Sequence, residues 1–241
     1  SILREGESLG SFYLYESNGV FSTAKEAAEA GYIDKISKSN GGQPVAGDAR
    51  WVDQNKDGVI DTKDKIIAGN PIPDFTGGLN NTFKYKGLSL DAFFQFSKGN
   101  DVYNNFRTDL VRGFNTNYLK ENLDAWKQEG DITDVPRNVL LDPANNSEGV
   151  VARPSTRFLE DGSFIKLKTV TLTYEFPNSV LEKLKLSGLK VYAKGTNLLT
   201  ITKYSGFDPE VSVAQNNNAG QNGGFQFGID RGLYPLSKSI T

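Results

Sequence analysis

Histidine, cysteine and methionine are all absent from the 241 residues of this chain. Their absence excludes Ser-His-Asp and Cys-His catalysis, histidine-based zinc sites and disulfide bonds. The sequence also lacks a phosphate-binding G-x-x-x-x-G-K-[ST] loop and a G-x-S-x-G nucleophile elbow. Carboxylate, lysine, tyrosine or hydroxyl chemistry would remain, but the spacing of the 29 acidic residues gives no pair a defined catalytic geometry. We therefore expect no enzymatic activity, and a carboxylate glycosidase is the least supported alternative.

The chain also lacks a large net charge and a long hydrophobic run. Its formal net charge is -2, which gives no electrostatic reason to expect a nucleic-acid partner. No apolar run approaches the roughly 18 residues of a membrane-spanning helix. Strands of a membrane barrel alternate apolar and polar residues, so the lack of a long apolar run does not exclude a transmembrane β-barrel.

Segments of alternating apolar and polar residues dominate what the sequence does contain. In "GLSLDAFFQFSKG" the apolar face holds Leu88, Leu90, Ala92, Phe94 and Phe96, and the polar face holds Ser89, Asp91, Gln95 and Ser97. Phe93 is the exception. The preceding "FTGGLNNTFKYK" alternates in the same way and is joined to it by little more than Gly87, which predicts a β-hairpin with a tight turn.

Two further strands are predicted in "FIKLKTVTLTYEFP" and "LKVYAKGTNLLTI", separated by a short connector. These strands approach the 9 to 11 residues or so that cross a bilayer. Short turns alternate with long excursions at 99–162 and 203–234. Outer-membrane barrels have this asymmetry, with long loops outside the cell. We therefore expect Asp91 and Gln95 to face a lumen, and a lipid-facing band made of Leu88, Leu90, Phe94, Phe96, Leu172 and Val191.

The stretch "DQNKDGVIDTKD" has the ligand spacing of an EF-hand calcium loop. Oxygen-bearing side chains fall at loop positions 1, 3, 5, 9 and 12, the Val59 carbonyl falls at position 7, and Gly58 occupies the sharp turn at position 6. The predicted calcium ligands are Asp53, Asn55, Asp57, Val59, Asp61 and Asp64. Asp64 replaces the usual bidentate glutamate, so we expect an affinity of roughly 10⁻⁴ to 10⁻³ M.

The flanks of this loop are rich in glycine and proline and cannot be the helices of an EF-hand. An Asp/Asn/Gly surface turn without a metal is the alternative interpretation of the loop.

The alternative to a membrane barrel is a secreted calcium-stapled β-sandwich that acts as a binding module. Its strands would show the same alternation of apolar and polar residues.

Two helices are expected in the loop regions. "STAKEAAEAG" offers Ser22 as an N-cap and Gly31 as a stop, and "YLKENLDAWKQEG" places Leu119, Leu123 and Trp126 at helical spacing. Aromatic residues of the long loops could stack on sugar rings, although such residues more often pack the loops themselves: Tyr103, Phe106, Phe114, Tyr118 and Trp126.

Several phrases in order resemble the C-terminal part of SusC/RagA-type TonB-dependent outer-membrane transporters of the Bacteroidetes. They are "ESLGSFYLYESNGVF", "GDARWVDQNKDGVIDTKDKIIAGNPIPDFTGGLNNTFKYKGLSLDAFFQFSKGNDVYN", "FLEDGSFIKLKTVTLTYEFP", "LKVYAKGTNLLTITKYSGFDPE" and "GIDRGLYPLSKSIT". The resemblance covers nearly the whole chain. It implies a segment of a 22-stranded transmembrane antiparallel β-barrel, filled by a plug and capped outside by a SusD-like lipoprotein. It further implies import of glycans or peptides with energy relayed through TonB.

The expected organisation has two parts. Residues 1–73 form an extracellular loop region with an early strand and the calcium-type loop, and residues 74–241 hold the C-terminal barrel strands with their extracellular loops. The five or six readable membrane strands are fewer than the eight or so of the smallest natural barrels. We therefore expect the plug and the other strands to come from the remainder of the same polypeptide.

Overall fold

The structure, a computed structural model, describes residues 1–37, 40–111, 118–139, 147–148, 151–211, 227–232 and 234–241. Strands predominate among these residues. In chain order they are β1 (Phe12–Tyr15), β2 (Ser17–Val20), β3 (Ile33–Asp34), β4 (Ala49–Trp51), β5 (Val59–Ile60), β6 (Lys65–Gly69), β7 (Phe75–Tyr85), β8 (Leu88–Lys98), β9 (Asp101–Asn104), β10 (Ser147–Glu148), β11 (Val151–Ala152), β12 (Leu159–Asp161), β13 (Phe164–Glu175), β14 (Lys190–Thr202), β15 (Ile229–Asp230) and β16 (Ser239–Ile240). The helices are α1 (Ala24–Ala28), α2 (Asn105–Val111) and α3 (Asn178–Leu184).

Four long strands form the main sheet together with the short β16. The order is β16-β14-β13-β8-β7, and every neighbouring pair is antiparallel. Strands β7, β8, β13 and β14 are 11, 11, 12 and 13 residues long. All four strands predicted from sequence alternation are therefore confirmed. The described residues supply five strands of this sheet, and the total of 22 stays a prediction.

The hairpin between β7 and β8 closes through the two residues Lys86 and Gly87. Both have positive φ, 46° and 83°, as a type I′ turn requires. A Cβ atom on Gly87 would lie 2.6 Å from the carbonyl oxygen of Glu175, so glycine also permits a close approach to β13. The tight turn predicted at Gly87 is confirmed.

Smaller sheets and two hydrophobic cores form the region beside the main sheet. Pairs β1-β6, β2-β4, β3-β5 and β10-β11 accompany a three-stranded sheet of order β12-β9-β15. One core joins Phe12 and Leu14 of β1 to Tyr103 and Phe158. Since this core spans residues on both sides of the boundary predicted at 73/74, the early region packs on the long excursion.

A buried ion pair fixes a second core against the same excursion. Arg153 Nη2 donates to Asp34 Oδ2 at 2.8 Å, and the guanidinium lies 4.4 Å from the centre of the Trp51 ring. Both side chains are almost fully buried. Guanidinium suits such a position because it can stack on an aromatic face while it binds a carboxylate.

Two details of the predicted helices were wrong. Thr23 rather than Ser22 caps α1, because the Thr23 hydroxyl accepts the N–H of Glu26 while the Ser22 hydroxyl donates to the Asp131 carbonyl. The segment around 119–126 forms only a 3₁₀ turn at Lys120–Asp124, with Leu123 exposed. Ala125 leaves the helical region there, since its ψ is 145°.

Candidate functional site

One face of the main sheet carries a broad apolar surface. The register aligns Leu79 of β7 with Phe94 of β8. It then aligns Phe94 with Leu167 of β13, and Leu167 with Leu199 of β14. Large exposed side chains of this face are Phe75, Leu79, Phe83, Leu88, Leu90, Ile165, Leu172, Val191, Leu199 and Ile201. A contiguous apolar surface of this extent marks an interface with lipid or another protein.

The opposite face of the same sheet is polar. Gln95 aligns with Lys166, and Thr82 Oγ1 donates to Asp91 Oδ1 at 2.5 Å. Phe93, the exception in the alternation of β8, lies on this face and covers Gly78 of the neighbouring strand. A Cβ atom on Gly78 would lie 2.7 Å from the Phe93 ring. The glycine thus provides the space for a large apolar ring among polar neighbours.

An ion cluster lies on the polar face, in the half of the sheet away from the turn at Gly87. Lys166 Nζ lies 2.9 Å and Lys168 Nζ lies 2.7 Å from Glu210 Oε2, and Lys166 also pairs with Asp208. Gln95 Nε2 donates to Glu210 Oε1 at 3.4 Å. The Lys166 side chain is only 3% exposed, so these partners replace the water that would otherwise surround its ammonium group.

A β-bulge explains how both lysines reach the same carboxylate. Leu167 pairs with Phe94 while Thr169 pairs with the adjacent Phe93, which leaves Lys168 as an extra residue. The bulge reverses the alternation of β13, so that Leu167 and Val170 share the apolar face. Strict alternation would have placed Leu167 on the polar face and Lys166 on the apolar one. The sequence reasoning therefore missed this cluster; the signal available was the pair of lysines in "KLK" and the acidic "FDPE".

The lysine partners of Glu210 stabilise its ionised form. Partial burial alone would raise the pKa of its carboxyl group. The hydrogen bonds and positive charges of Lys168 and Lys166 outweigh this effect and hold the pKa below its ordinary value. The contact is therefore a charged one at neutral pH.

The chain segment that carries Asp208 and Glu210 is also fixed at its other end. Tyr204 Oη donates to Asp230 Oδ2 at 2.6 Å. The backbone N–H and the hydroxyl of Ser205 donate to the two carboxylate oxygens of Glu160 at 2.7 and 2.8 Å. Residues 204–210 are thus tied to the strands at both ends.

The first half of the calcium-type loop has the turns expected for its sequence. Asp53 Oδ2 accepts the N–H of Gly58 at 2.8 Å, and Asn55 Oδ1 accepts the N–H of Asp57 at 3.0 Å. Gly58 has a φ of 78°, as the predicted sharp turn requires. The carbonyls of Gly58 and Ile60 accept hydrogen bonds from the N–H groups of Ile33 in β3 and of Lys35 directly after it. Strand alternation therefore turns the carbonyl of Val59 away from β3.

The second half of this loop uses its carboxylates as caps. Asp64 is 1% exposed, and its two oxygens accept the N–H groups of Gln54 and Asp61 at 3.0 and 2.8 Å. Asp61 Oδ1 accepts the N–H of Lys63 at 2.8 Å. Among the described residues no group of three or more acidic side chains is gathered closely enough to hold a metal ion. Each loop oxygen that accepts one N–H still keeps a lone pair for a cation.

The five aromatic residues considered for sugar stacking have different environments. Tyr103 is buried in the core, and Trp126 packs on Gly47 while its indole donates to the Ser22 carbonyl at 3.0 Å. Phe114 lies outside the described residues. Tyr118 is exposed, and Phe106 contacts Phe207, an exposed ring that the sequence reasoning did not single out.

Comparisons with known proteins show which proteins this chain resembles in sequence. No protein-family model matches the chain. "TonB-dependent receptor P3" of Formosa agariphila is 36% identical over 240 residues, which cover 100% of this chain and 22% of that protein. "TonB-dependent receptor SusC" of Bacteroides thetaiotaomicron is 28% identical over 219 residues, covering 89% and 19% respectively. The chain thus spans about a fifth of the length of the curated relatives it matches.

Solved structures give the same result for the fold. The RagAB peptide importer in the open-open state superimposes with a TM-score of 0.68 at 27% identity, over 100% of this chain and 23% of that one. A second structure, of the RagAB peptide transporter, also gives 0.68 at 28% identity and covers 95% and 22%. Within the part of this chain that the structure describes, no helix is long and apolar enough to cross a membrane. The chain belongs to the SusC/RagA-type TonB-dependent receptors of the outer membrane and corresponds to part of their C-terminal β-barrel.

Proposed function

We propose that this chain is part of a TonB-dependent outer-membrane transporter that imports glycans or peptides together with a SusD-like surface lipoprotein. The observation that carries the proposal is the contrast between the two faces of the main sheet. One face exposes Leu79, Leu90 and Leu199, and the other holds the ions around Lys166. A sheet with these faces is a wall between lipid and a polar lumen.

The proposed mechanism involves no covalent chemistry by this chain. Solute passes along the polar face, where Asp91, Gln95 and the threonines of β13 offer hydrogen bonds, while the apolar face stays in lipid. The relatives and solved neighbours are named as receptors, importers and transporters, which supports transport rather than catalysis.

Further strands and a plug complete the transporter in this proposal. In the described residues β7 pairs only with β8, and β16 covers only two residues of β14. Unpaired N–H and C=O groups in hydrocarbon are each unfavourable by several kcal/mol. Both edges of the sheet are therefore expected to pair with strands from the remainder of the same polypeptide, which would also supply the plug and the contact with TonB.

The soluble alternative, a secreted β-sandwich, requires a second sheet packed on the apolar face. Among the described residues, Phe83, Val191 and Ile201 on this face are exposed by 57–63%. This exposure favours the membrane assignment. Solubility without detergent would favour the sandwich.

We also propose that calcium binds in the loop at 53–64. The ligands would be the side chains of Asp53, Asn55, Asp57, Asp61 and Asp64 with the carbonyl of Val59. The ligand order and the positive φ of Gly58 support the site. Because the loop must contract around the ion while Asp64 retains two N–H groups, the affinity should be modest.

Uptake by cells tests the transport proposal. Cells that carry the full receptor gene and its neighbouring lipoprotein gene should accumulate labelled oligosaccharides or oligopeptides, and accumulation should stop when TonB is deleted. Deletion of the lipoprotein gene should reduce uptake strongly. Uptake that persists without TonB, or no difference from cells that lack the receptor, would contradict the proposal.

A further inference from the structure

A cavity of about 550 Å³ opens beside the ion cluster, between α2, the turn at Lys120–Asp124 and the segment 205–207. Its size falls within the range of small-molecule sites. The cavity combines two aromatic rings with several polar side chains, and the residues that carry the argument are Phe106, Phe207, Arg107, Glu121, Glu160 and Ser205.

Two phenylalanine rings form the apolar part of this cavity. The ring centres of Phe106 and Phe207 are 5.6 Å apart with an interplanar angle of 43°. Phe207 is 61% exposed, so its ring is available to a ligand. An inclined pair of rings offers a surface for a flat, weakly polar group.

The polar part of the cavity has no net charge. Arg107 and Lys120 are balanced by Glu121 and Glu160. Arg107 donates to Glu121 Oε2 from Nε at 2.9 Å and from Nη2 at 2.7 Å, and to Glu160 Oε1 from Nη1 at 3.3 Å. Burial alone would lower the pKa of Arg107, but Glu121 and Glu160 outweigh it and raise the pKa, so the guanidinium stays charged.

One acceptor in this cavity has no partner. Glu121 Oε1 is buried and accepts no hydrogen bond from the described residues. A buried carboxylate oxygen without a donor is unfavourable. A ligand hydroxyl would remove this penalty if the Glu121 carboxylate rotates on binding and turns Oε1, which is closed to solvent in the free structure, toward the cavity.

The wall that carries Phe207 is held in place before any ligand arrives. Ser205 is bound to Glu160 on one side, and Glu210 is bound to Lys166 and Lys168 on the other. A wall that is already ordered loses little entropy when a ligand binds. The cavity is therefore a preorganised site.

We propose that this cavity is a binding subsite for one neutral sugar ring. The C–H face of the ring would lie on Phe207 and Phe106, and a ring hydroxyl would donate to Glu121 Oε1. The neutral charge balance disfavours anionic and cationic ligands. An extended peptide is bound along a groove or a strand edge by alternating donors and acceptors, whereas the polar atoms here come from side chains around one small space. The inference rests on the proposed transport function and selects the substrate class.

Ligand binding to the purified full receptor in detergent tests the subsite directly. The probes are neutral trisaccharides of glucose, galactose, mannose and xylose, and a capped neutral tetrapeptide that contains phenylalanine. Saturation-transfer NMR detects binding and calorimetry gives the affinity. Phe207→Ala and Glu121→Gln should each weaken binding of the preferred trisaccharide, by about tenfold for Phe207→Ala. Tyr118→Ala removes an aromatic ring that is exposed outside the cavity and should leave the affinity unchanged.

Several results would overturn the subsite. They are an unchanged affinity of Phe207→Ala, equal losses in Phe207→Ala and Tyr118→Ala, binding of the tetrapeptide alone, or no binding of any probe to the wild-type receptor. TonB-dependent uptake of a trisaccharide that is normal in Phe207→Ala would sustain the transport proposal while it refutes this site.

Discussion

Lys166 and Glu210 join a strand of the main sheet to the segment 204–210, with Nζ 2.9 Å from Oε2 and the lysine side chain 3% exposed. The two residues are 44 positions apart in the sequence. Their contact, together with the bulge at Lys168, fixes residues 204–210 across the polar face. This segment also forms one wall of the cavity beside Phe207.

Replacement of Lys166 by methionine should weaken the attachment of the Glu210 end of the segment 204–210. Hydrogen bonds to charged groups contribute about 1.5–3 kcal/mol each, so the open population should rise at least about tenfold. Hydrogen exchange of residues 207–210 in the detergent-solubilised receptor should accelerate by a similar factor. Lys190→Met, which removes an exposed lysine of β14, is the matched control. Equal exchange rates in both variants would contradict the assigned contact.

Acid should weaken the same contact. The pKa of Glu210 is lowered from its ordinary 4.5, so the stabilisation is fully present above about pH 4.5 and is lost as the pH falls through the lower, docked value. Hydrogen exchange of residues 204–210, corrected for its intrinsic pH dependence, should show this loss as the pH falls below about 4.5. The Glu210→Gln variant should not show this loss of protection from hydrogen exchange at low pH. Protection from exchange that is constant or rises toward low pH in the wild-type protein would contradict the lowered pKa of Glu210.

The hairpin turn predicts a strong preference for glycine at one position. Gly87→Ala should destabilise the sheet by about 1–2 kcal/mol or more, because φ is 83° and the new Cβ would approach the Glu175 carbonyl. Lys86→Asn at the preceding residue should be neutral or stabilising, since asparagine suits a type I′ turn. Guanidinium denaturation in lipid vesicles measures both variants. A Gly87→Ala variant as stable as Lys86→Asn would contradict the turn.

The sequence predicted the long strands well because membrane strands repeat one simple pattern over 11 to 13 residues. Alternation placed Phe94 and Gln95 on opposite faces, and the register confirms it. It failed at Lys168, where a bulge that no local pattern signals reverses the faces. Contacts over long sequence separations, such as Lys166 with Glu210, depend on loop positions that periodicity does not encode. Thr23 and Ser22 compete as caps, and a tertiary contact with Asp131 decides between them.

Calcium binding by the loop at 53–64 predicts a titratable site. Calorimetry of the metal-free receptor with calcium chloride should give a Kd of roughly 10⁻⁴ to 10⁻³ M. Asp57→Ala removes one proposed ligand and should abolish the signal, while Lys63→Ala in the same loop should keep it. No calcium-dependent heat in the wild-type protein, or equal heats in the wild type and Asp57→Ala, would eliminate the proposed site.

The central claim is that the apolar face of the main sheet lies in lipid and the polar face lies in a lumen, and spin labels on two adjacent residues test it most directly. The chain contains no cysteine, so Phe94→Cys and Gln95→Cys each introduce a single labelling site within it. In receptor reconstituted into lipid bilayers, electron paramagnetic resonance should show that a label at 94 is accessible to oxygen, which concentrates in lipid. A label at 95 should instead be accessible to a water-soluble nickel complex. Equal accessibility of both labels to the nickel complex would contradict a membrane wall.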